Sequence, residues 1–251
     1  MKAITPIQES DLEFDNGSFD AAAFAAQTLA NWQSLASAID HTLLRPEATR
    51  AEIERLCEEA QRYRFACAMV TPVWASAAVN LLSGSGVPVG AVIGFPFGAS
   101  LVSTLRHEAA SLARLGVREL DMAIPIGLLK SGDHHAVQHT IHAVVGVAHH
   151  HGALLKVILE TSLLTMEEKL RVAEIAIQAG ADFIRTSTGF ASGGANPADV
   201  ALMRGVAGAR CGVKAAGGIR TLDDLRALLD AGANRIGTSA SVAILRELGA
   251  E

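Results

Sequence analysis

Tyrosine occurs once in this chain of 251 residues, aromatic residues make up 4% of it, and cysteine occurs three times. Cys57, Cys67 and Cys211 are odd in number and lack metal-ligand spacing. A disulfide framework therefore does not account for them, and a reducing compartment fits. No apolar run is long enough for a membrane span, and the stretch MKAITPIQESDLEFDNG carries no signal-peptide core. A cytoplasmic protein with no membrane partner is expected. Positive charge is also scarce: the formal net charge is −5, and neutralising a phosphate backbone requires a net basic face. A nucleic-acid partner is thereby excluded, and any phosphate bound is a small one.

What the chain does contain is rhythm. Residues 1–37 read as an N-terminal extension, polar and aperiodic to Gly17, then helical where Phe19, Phe24, Leu29 and Trp32 punctuate an alanine-rich run. Across residues 38–251 a short apolar stretch, a polar or glycine-containing loop and a helical stretch of roughly 10–17 residues recur about eight times. Strands are predicted near Ala38–Thr42, Phe65–Val70, Val87–Ile93, Arg118–Ile124, Leu154–Leu159, Phe183–Thr186, Gly212–Ala215 and Arg235–Gly237. Helices are predicted near Arg50–Tyr63, Val73–Leu82, Ser103–Leu115, His134–His150, Thr165–Ala179, Pro197–Val206, Leu222–Asp230 and Ser241–Leu248. Alternation of this kind gives a parallel sheet, and eight units favour an α/β fold of the (β/α)8 TIM-barrel type over an open doubly wound sheet. No GxGxxG opens the first unit, which weighs further against the open sheet.

In a barrel, strand ends converge on one mouth. Asp40, Cys67, Asp121, Lys156, Glu160, Arg185, Lys214 and Ser239 are the polar residues expected there. Arg185 and Lys214 stand on successive strands, and each is followed by glycine-containing loops: Thr186 to Gly189, Gly217–Gly218, then Gly237, Thr238 and Ser239. Cations beside glycine-freed N–H groups suit an anionic substrate. Only five of the 21 basic residues are lysine, so Lys156 and Lys214, each inside a strand, stand out. A desolvated lysine beside another cation loses its proton readily and adds to a carbonyl as a neutral amine, which arginine does not do. Asp121 lies within reach of the same mouth and suits a proton shuttle. Seven of nine histidines fall between His134 and His151. No acidic residue follows Asp133 in that helix, so a solvated face explains them better than a metal site.

The segments IDHTLLRP, ACAMVTPVW, VIGFPFG, ELDMAIPIGLLKSGD, LKVILET, ADFIRTSTGF, GVKAAGGIRT and RIGTSAS closely resemble those of the deoxyribose-phosphate aldolases, class I aldolases with a (β/α)8 barrel. The resemblance spans Ile39 to the C-terminus. It implies reversible cleavage of 2-deoxy-D-ribose 5-phosphate to acetaldehyde and D-glyceraldehyde 3-phosphate, without metal or organic cofactor. By motif, Asp121 resembles the proton-relay aspartate and Lys214 the lysine that tunes its neighbour. Gly217, Gly218, Gly237, Thr238 and Ser239 resemble the phosphate cradle, with Asp40, Thr186 and Gly189 beside it. One position departs: where the family pattern reads K-T-S-T-G this chain reads R-T-S-T-G, with Arg185 in the place of the imine-forming lysine. The expectation is therefore a chain that binds the sugar phosphate with its chemistry impaired. The alternatives are a non-catalytic sugar-phosphate-binding homologue and a lyase that forms its imine on Lys214 or Lys156. Association into a homo-oligomer is left open.

Overall fold

The computed structural model describes residues 19–251. Eight strands, β1 (Ile39–Leu43), β2 (Cys67–Val70), β3 (Val89–Ile93), β4 (Glu119–Ala123), β5 (Leu154–Ile158), β6 (Phe183–Arg185), β7 (Gly212–Ala216) and β8 (Arg235–Thr238), form a closed barrel. Every neighbouring pair is parallel, and β8 pairs with β1. The open sheet is thereby ruled out.

The helices are α1 (Ala21–Thr28), α2 (Trp32–Ala36), α3 (Arg50–Tyr63), α4 (Ala75–Leu81), α5 (Val102–Leu115), α6 (Ile126–Lys130), α7 (His134–His150), α8 (Met166–Gln178), α9 (Pro197–Ala207), α10 (Leu222–Asp230) and α11 (Ser241–Glu247). Side-chain oxygens at Asp133, Thr165, Asn196 and Thr221 accept the free N–H groups of the helices that follow them. The alanine-rich N-terminal run is two short helices rather than one, because Asn31 starts a new helix by capping Ser34 N–H. Residues 1–18 of the extension lie outside the described residues.

Strand alternation sorts the barrel into two environments. Outward residues such as Ile39, Ala68, Ile93, Leu120, Val157, Ile184 and Val213 pack beneath the helices in the main apolar core. Inward residues divide by position round the barrel. Cys67, Met69 and Val92 form a small apolar cluster with Leu44, whereas β4 to β8 turn Glu119, Asp121, Lys156, Arg185, Lys214 and Arg235 inward, joined by Asp40 from β1. Cys67, expected among the polar groups at the mouth, thus belongs to the apolar plug, where burial pushes its thiol pKa well above the ordinary value.

The loop after β3 depends on Gly98. Its φ is +64°, and a Cβ there would lie 1.8 Å from the Ile124 carbonyl oxygen. Gly98→Ala combines left-handed strain with a backbone clash and is expected to destabilise the chain by about 2 kcal/mol or more. Denaturant unfolding checks this; a change below about 0.5 kcal/mol would show that the loop relaxes freely.

Candidate active site

Three carboxylates and four cations meet inside the barrel. Lys156 Nζ lies 3.1 Å from Asp40 Oδ2, 2.5 Å from Glu119 Oε2 and 3.1 Å from Asp121 Oδ1. Lys214 Nζ donates to Asp121 Oδ2 at 2.7 Å and to Asp40. Arg185 Nη1 donates to Asp121 Oδ2 at 2.6 Å, while its Nε and Nη2 donate to the carbonyls of Ser187 and Thr188 at 3.0 and 3.3 Å. At the opposite end Arg235 donates to Asp40 Oδ1 at 2.8 Å. Asp40, Asp121, Lys156 and Lys214 are all completely buried. Charges so placed hold one another in ionised form or lose protons.

The two lysines diverge in consequence. Burial opposes the charge on Lys156, but Asp121, Asp40 and Glu119 outweigh it and hold its pKa well above the ordinary value. For Lys214, burial together with the charges of Lys156 and Arg185 outweighs Asp121 and Asp40, and its pKa is lowered. Asp40 and Asp121 are themselves kept ionised: burial would raise each pKa, and the surrounding lysines and arginines more than reverse it. The carboxylates thus favour the charge on Lys156, and the neighbouring cations disfavour it on Lys214.

This corrects the expectation that Arg185 stands in place of the imine-forming lysine and leaves the site without a nucleophile. Two lysines are wholly buried here, and the pocket that Asp40, Glu119 and Asp121 make round Lys156 supplies the acidic surroundings expected of a Schiff-base centre, with Lys214 sharing two of its three carboxylates. A motif read along one strand could not register a pocket whose walls come from β1, β4 and β5. Asp40, Cys67 and Glu119 also converge closely enough to ligate a metal. Their carboxylates are already paired with Lys156, Lys214 and Arg235, which leaves no acceptor charge to spare.

Above the cluster lies a cavity of about 320 Å³ lined by Gly189, Gly217, Gly218, Gly237, Thr238 and Ser239, together with Arg45, Arg185 and Arg220. The five residues expected to form a phosphate cradle are thus brought together, with Gly189 beside them. The N–H groups of Gly218 and Ser239 donate to no acceptor among the described residues, so both are free for a ligand. At Gly218, where φ is +79°, an added Cβ would meet nothing within 4 Å, so a side chain there would enter open space. Gly237 has a second role, since a Cβ on it would lie 2.9 Å from Lys214 Cε. Larger hollows lie outside the barrel, as between α5 and α7, but none of the ionic cluster lines them.

Two expected binding residues do not reach the cavity. Asp40 is consumed by the ionic cluster, and the Thr186 hydroxyl bridges β6 and β7 through Ala216 O and N at 3.0 and 3.1 Å. Glu160, expected at the mouth, accepts from Thr188 N–H at 3.1 Å and from its hydroxyl, fixing the turn whose carbonyls hold Arg185. Glu119 and Arg235 were missed by sequence reasoning. The signal for both was present: Glu119 is two residues before Asp121 and Arg235 two before Gly237, so each shares an inward face.

A parallel barrel with buried lysines set among carboxylates beneath a glycine-lined cavity is the architecture of the class I, Schiff-base aldolases. The chain belongs to the DeoC/LacD aldolase family, whose model matches residues 34–248. It is 50% identical over 212 residues to deoxyribose-phosphate aldolase of Geobacillus sp. (strain WCH70), covering 84% of this chain and 95% of that one. It is also 50% identical over 214 residues to the enzyme of Halalkalibacterium halodurans, covering 85% and 95%. The deoxyribose phosphate aldolase of Aeropyrum pernix, described as tetrameric, superposes with a TM-score of 0.84 at 35% identity, covering 91% of this chain and 96% of that one. No helix among the described residues is long and apolar enough to cross a membrane.

Proposed function

We propose that this chain cleaves 2-deoxy-D-ribose 5-phosphate reversibly to acetaldehyde and D-glyceraldehyde 3-phosphate through an imine on Lys214. The observation that carries this reading is geometric: Lys156 Nζ is held by three carboxylates, whereas Lys214 Nζ meets only two of them and has the cations Lys156 and Arg185 beside it, which with burial lower its pKa. The neutral amine of Lys214 adds to the aldehyde carbon of the open-chain sugar, and water leaves as the iminium forms. The iminium then accepts the electron pair of the breaking C2–C3 bond while the C3 hydroxyl gives up its proton. Glyceraldehyde phosphate departs, the enamine takes a proton at C2, and hydrolysis frees acetaldehyde and the lysine.

Asp121, bonded to Lys156, Lys214 and Arg185 at once, orients these groups. Its depressed pKa keeps it an anion that accepts hydrogen bonds from all three at once. Arg185 is the member of the cluster that lines the cavity. Since Lys214 is wholly buried, the guanidinium must swing off Asp121 for the aldehyde to reach the amine. A second reading places the imine on Lys156, whose three carboxylates would stabilise an iminium cation. Release of acetaldehyde from the sugar phosphate tests the activity; none above background would leave a binding protein and sink the aldolase reading.

The phosphate is held by the loops after β7 and β8. Because Gly218 faces open cavity, Gly218→Glu fills it with a carboxylate and is expected to weaken sulfate and sugar-phosphate binding by about tenfold or more. Calorimetry decides, and unchanged affinity would mean that the anion sits elsewhere. A homo-oligomer of this chain is a further reading, prompted by the tetrameric Aeropyrum relative; sedimentation as a monomer would reject it.

A further inference from the structure

Arg185 is the one buried cation in the lining of the cavity above the cluster. Arg45 and Arg220 line it too but are exposed, and no carboxylate lies among the lining residues. Arg185 is 2% exposed. Its Nη1 and the Lys214 Nζ donate to the same oxygen, Asp121 Oδ2, at 2.6 and 2.7 Å, and the sum of these, about 5.3 Å, is the most that can separate the two nitrogens. Nε and Nη2 of Arg185 donate to the carbonyls of Ser187 and Thr188. A guanidinium has five N–H groups. Three are thus engaged, and two have no acceptor among the described residues.

What the site admits depends on what replaces Asp121 when the guanidinium moves. Lys214 is wholly buried, so a carbonyl reaches its amine only after Arg185 leaves Asp121. An aldehyde carries only hydrogen beside its carbonyl and offers the displaced guanidinium no anion, and a buried charge that loses its partner is costly. A carboxylate on the carbonyl carbon supplies that anion, and its two oxygens match the planar guanidinium fork. The spacing agrees. In an imine of a 2-oxo acid the carboxylate oxygens are three bonds from the nitrogen, which with a hydrogen bond puts the guanidinium roughly 4–6 Å from that nitrogen.

We propose that the same site also makes and cleaves phosphorylated 2-oxo-4-hydroxy acids, a 2-oxo acid such as pyruvate taking the place of acetaldehyde and Arg185 holding its carboxylate. This rests on the reading that Lys214 carries the imine. The amine adds to the C2 carbonyl of the six-carbon acid and water leaves as the iminium forms. The iminium accepts the electron pair of the breaking C3–C4 bond while the C4 hydroxyl gives up its proton, and glyceraldehyde phosphate departs. The enamine takes a proton at C3, and hydrolysis frees pyruvate and the lysine. Between the imine carbon and the phosphate this acid has the same carbon chain as deoxyribose phosphate, so its phosphate falls on the same loops after β7 and β8. The two substrates differ only in the carboxylate that faces Arg185.

Pyruvate and D-glyceraldehyde 3-phosphate incubated with the full chain are expected to give the six-carbon acid, read by mass spectrometry, and borohydride with pyruvate alone should leave a carboxyethyl group on Lys214. Arg185→Gln should lower the rate with pyruvate relative to that with acetaldehyde by about thirtyfold. Thermal unfolding shows whether that variant folds. Pyruvamide, which lacks the charge, tests the same contact in the unaltered chain and should be trapped about tenfold less than pyruvate. An acetaldehyde adduct on Lys214 with none from pyruvate would overturn the proposal and leave the aldolase reading intact. Equal trapping of pyruvate and pyruvamide, or an unchanged rate ratio in folded Arg185→Gln, would remove Arg185 as the carboxylate's partner. An adduct with neither carbonyl compound, or one on Lys156, would remove the Lys214 reading and this proposal with it.

Discussion

Borohydride reduction in the presence of acetaldehyde is expected to leave an ethyl group on Lys214, with Lys156 unmodified. The reason is the charge placed around each amine. Both lysines are fully buried and both touch Asp40 and Asp121, but only Lys214 has its pKa lowered, by burial and by the adjacent charges of Lys156 and Arg185. Lys214→Met should therefore lower turnover by about a thousandfold or more, since it removes the covalent intermediate and its electron sink. Stability should suffer far less, because Lys156, Arg185 and Arg235 still face Asp40 and Asp121. Peptide mapping and a cleavage assay read the two effects separately. An adduct on Lys156 with Lys214→Met retaining turnover would transfer the imine to β5, and an adduct on neither residue would reject imine chemistry in this cluster.

Asp40→Asn is expected to cost stability rather than chemistry alone. Asp40 receives Lys156, Lys214 and Arg235, and an amide in its place leaves those cations with Asp121 and Glu119. Removing one partner of a buried ionic group typically costs about 3–5 kcal/mol. A value near about 3 kcal/mol is expected here, because Lys214 can relieve the excess charge by releasing its proton. Denaturant unfolding at neutral pH measures it; a loss under about 1 kcal/mol would mean that the cluster contributes no more than surface ion pairs do. The same argument gives a pH signature. Asp40 and Asp121 have folded pKa values below their unfolded ones, so their contribution is complete above about pH 4 to 5 and is lost as pH falls toward the depressed folded values. Asp40→Asn should flatten part of that acid limb.

Much of the scaffold was legible. Arg50–Tyr63, His134–His150 and Leu222–Asp230 begin and end where the apolar periodicity places them, and every predicted strand overlaps an observed one. The exceptions have local causes. The helix expected from Val73 starts at Ala75, after a 3-10 turn over Pro72–Trp74 that carries the chain into it. Helix α6, only five residues long, is too short for a repeating apolar face to register. The scarcity of lysine drew attention to Lys156 and Lys214. The lone arginine in R-T-S-T-G nevertheless led to a missing nucleophile, because a motif compares one position at a time.

By itself, then, the sequence determined the parallel barrel, through an alternation of strand and helix that depends only on which residues are apolar and at what period. It also determined the glycine-rich loops, because no other residue type leaves the backbone so open. The tertiary structure alone decided which cations share which carboxylates: Asp40 and Lys214 are 174 positions apart yet form a direct hydrogen bond. It decided with them that carboxylates raise the pKa of Lys156 while burial and neighbouring cations lower that of Lys214. Ionisation is set by distance and burial in three dimensions, and neither quantity is carried by spacing along the chain.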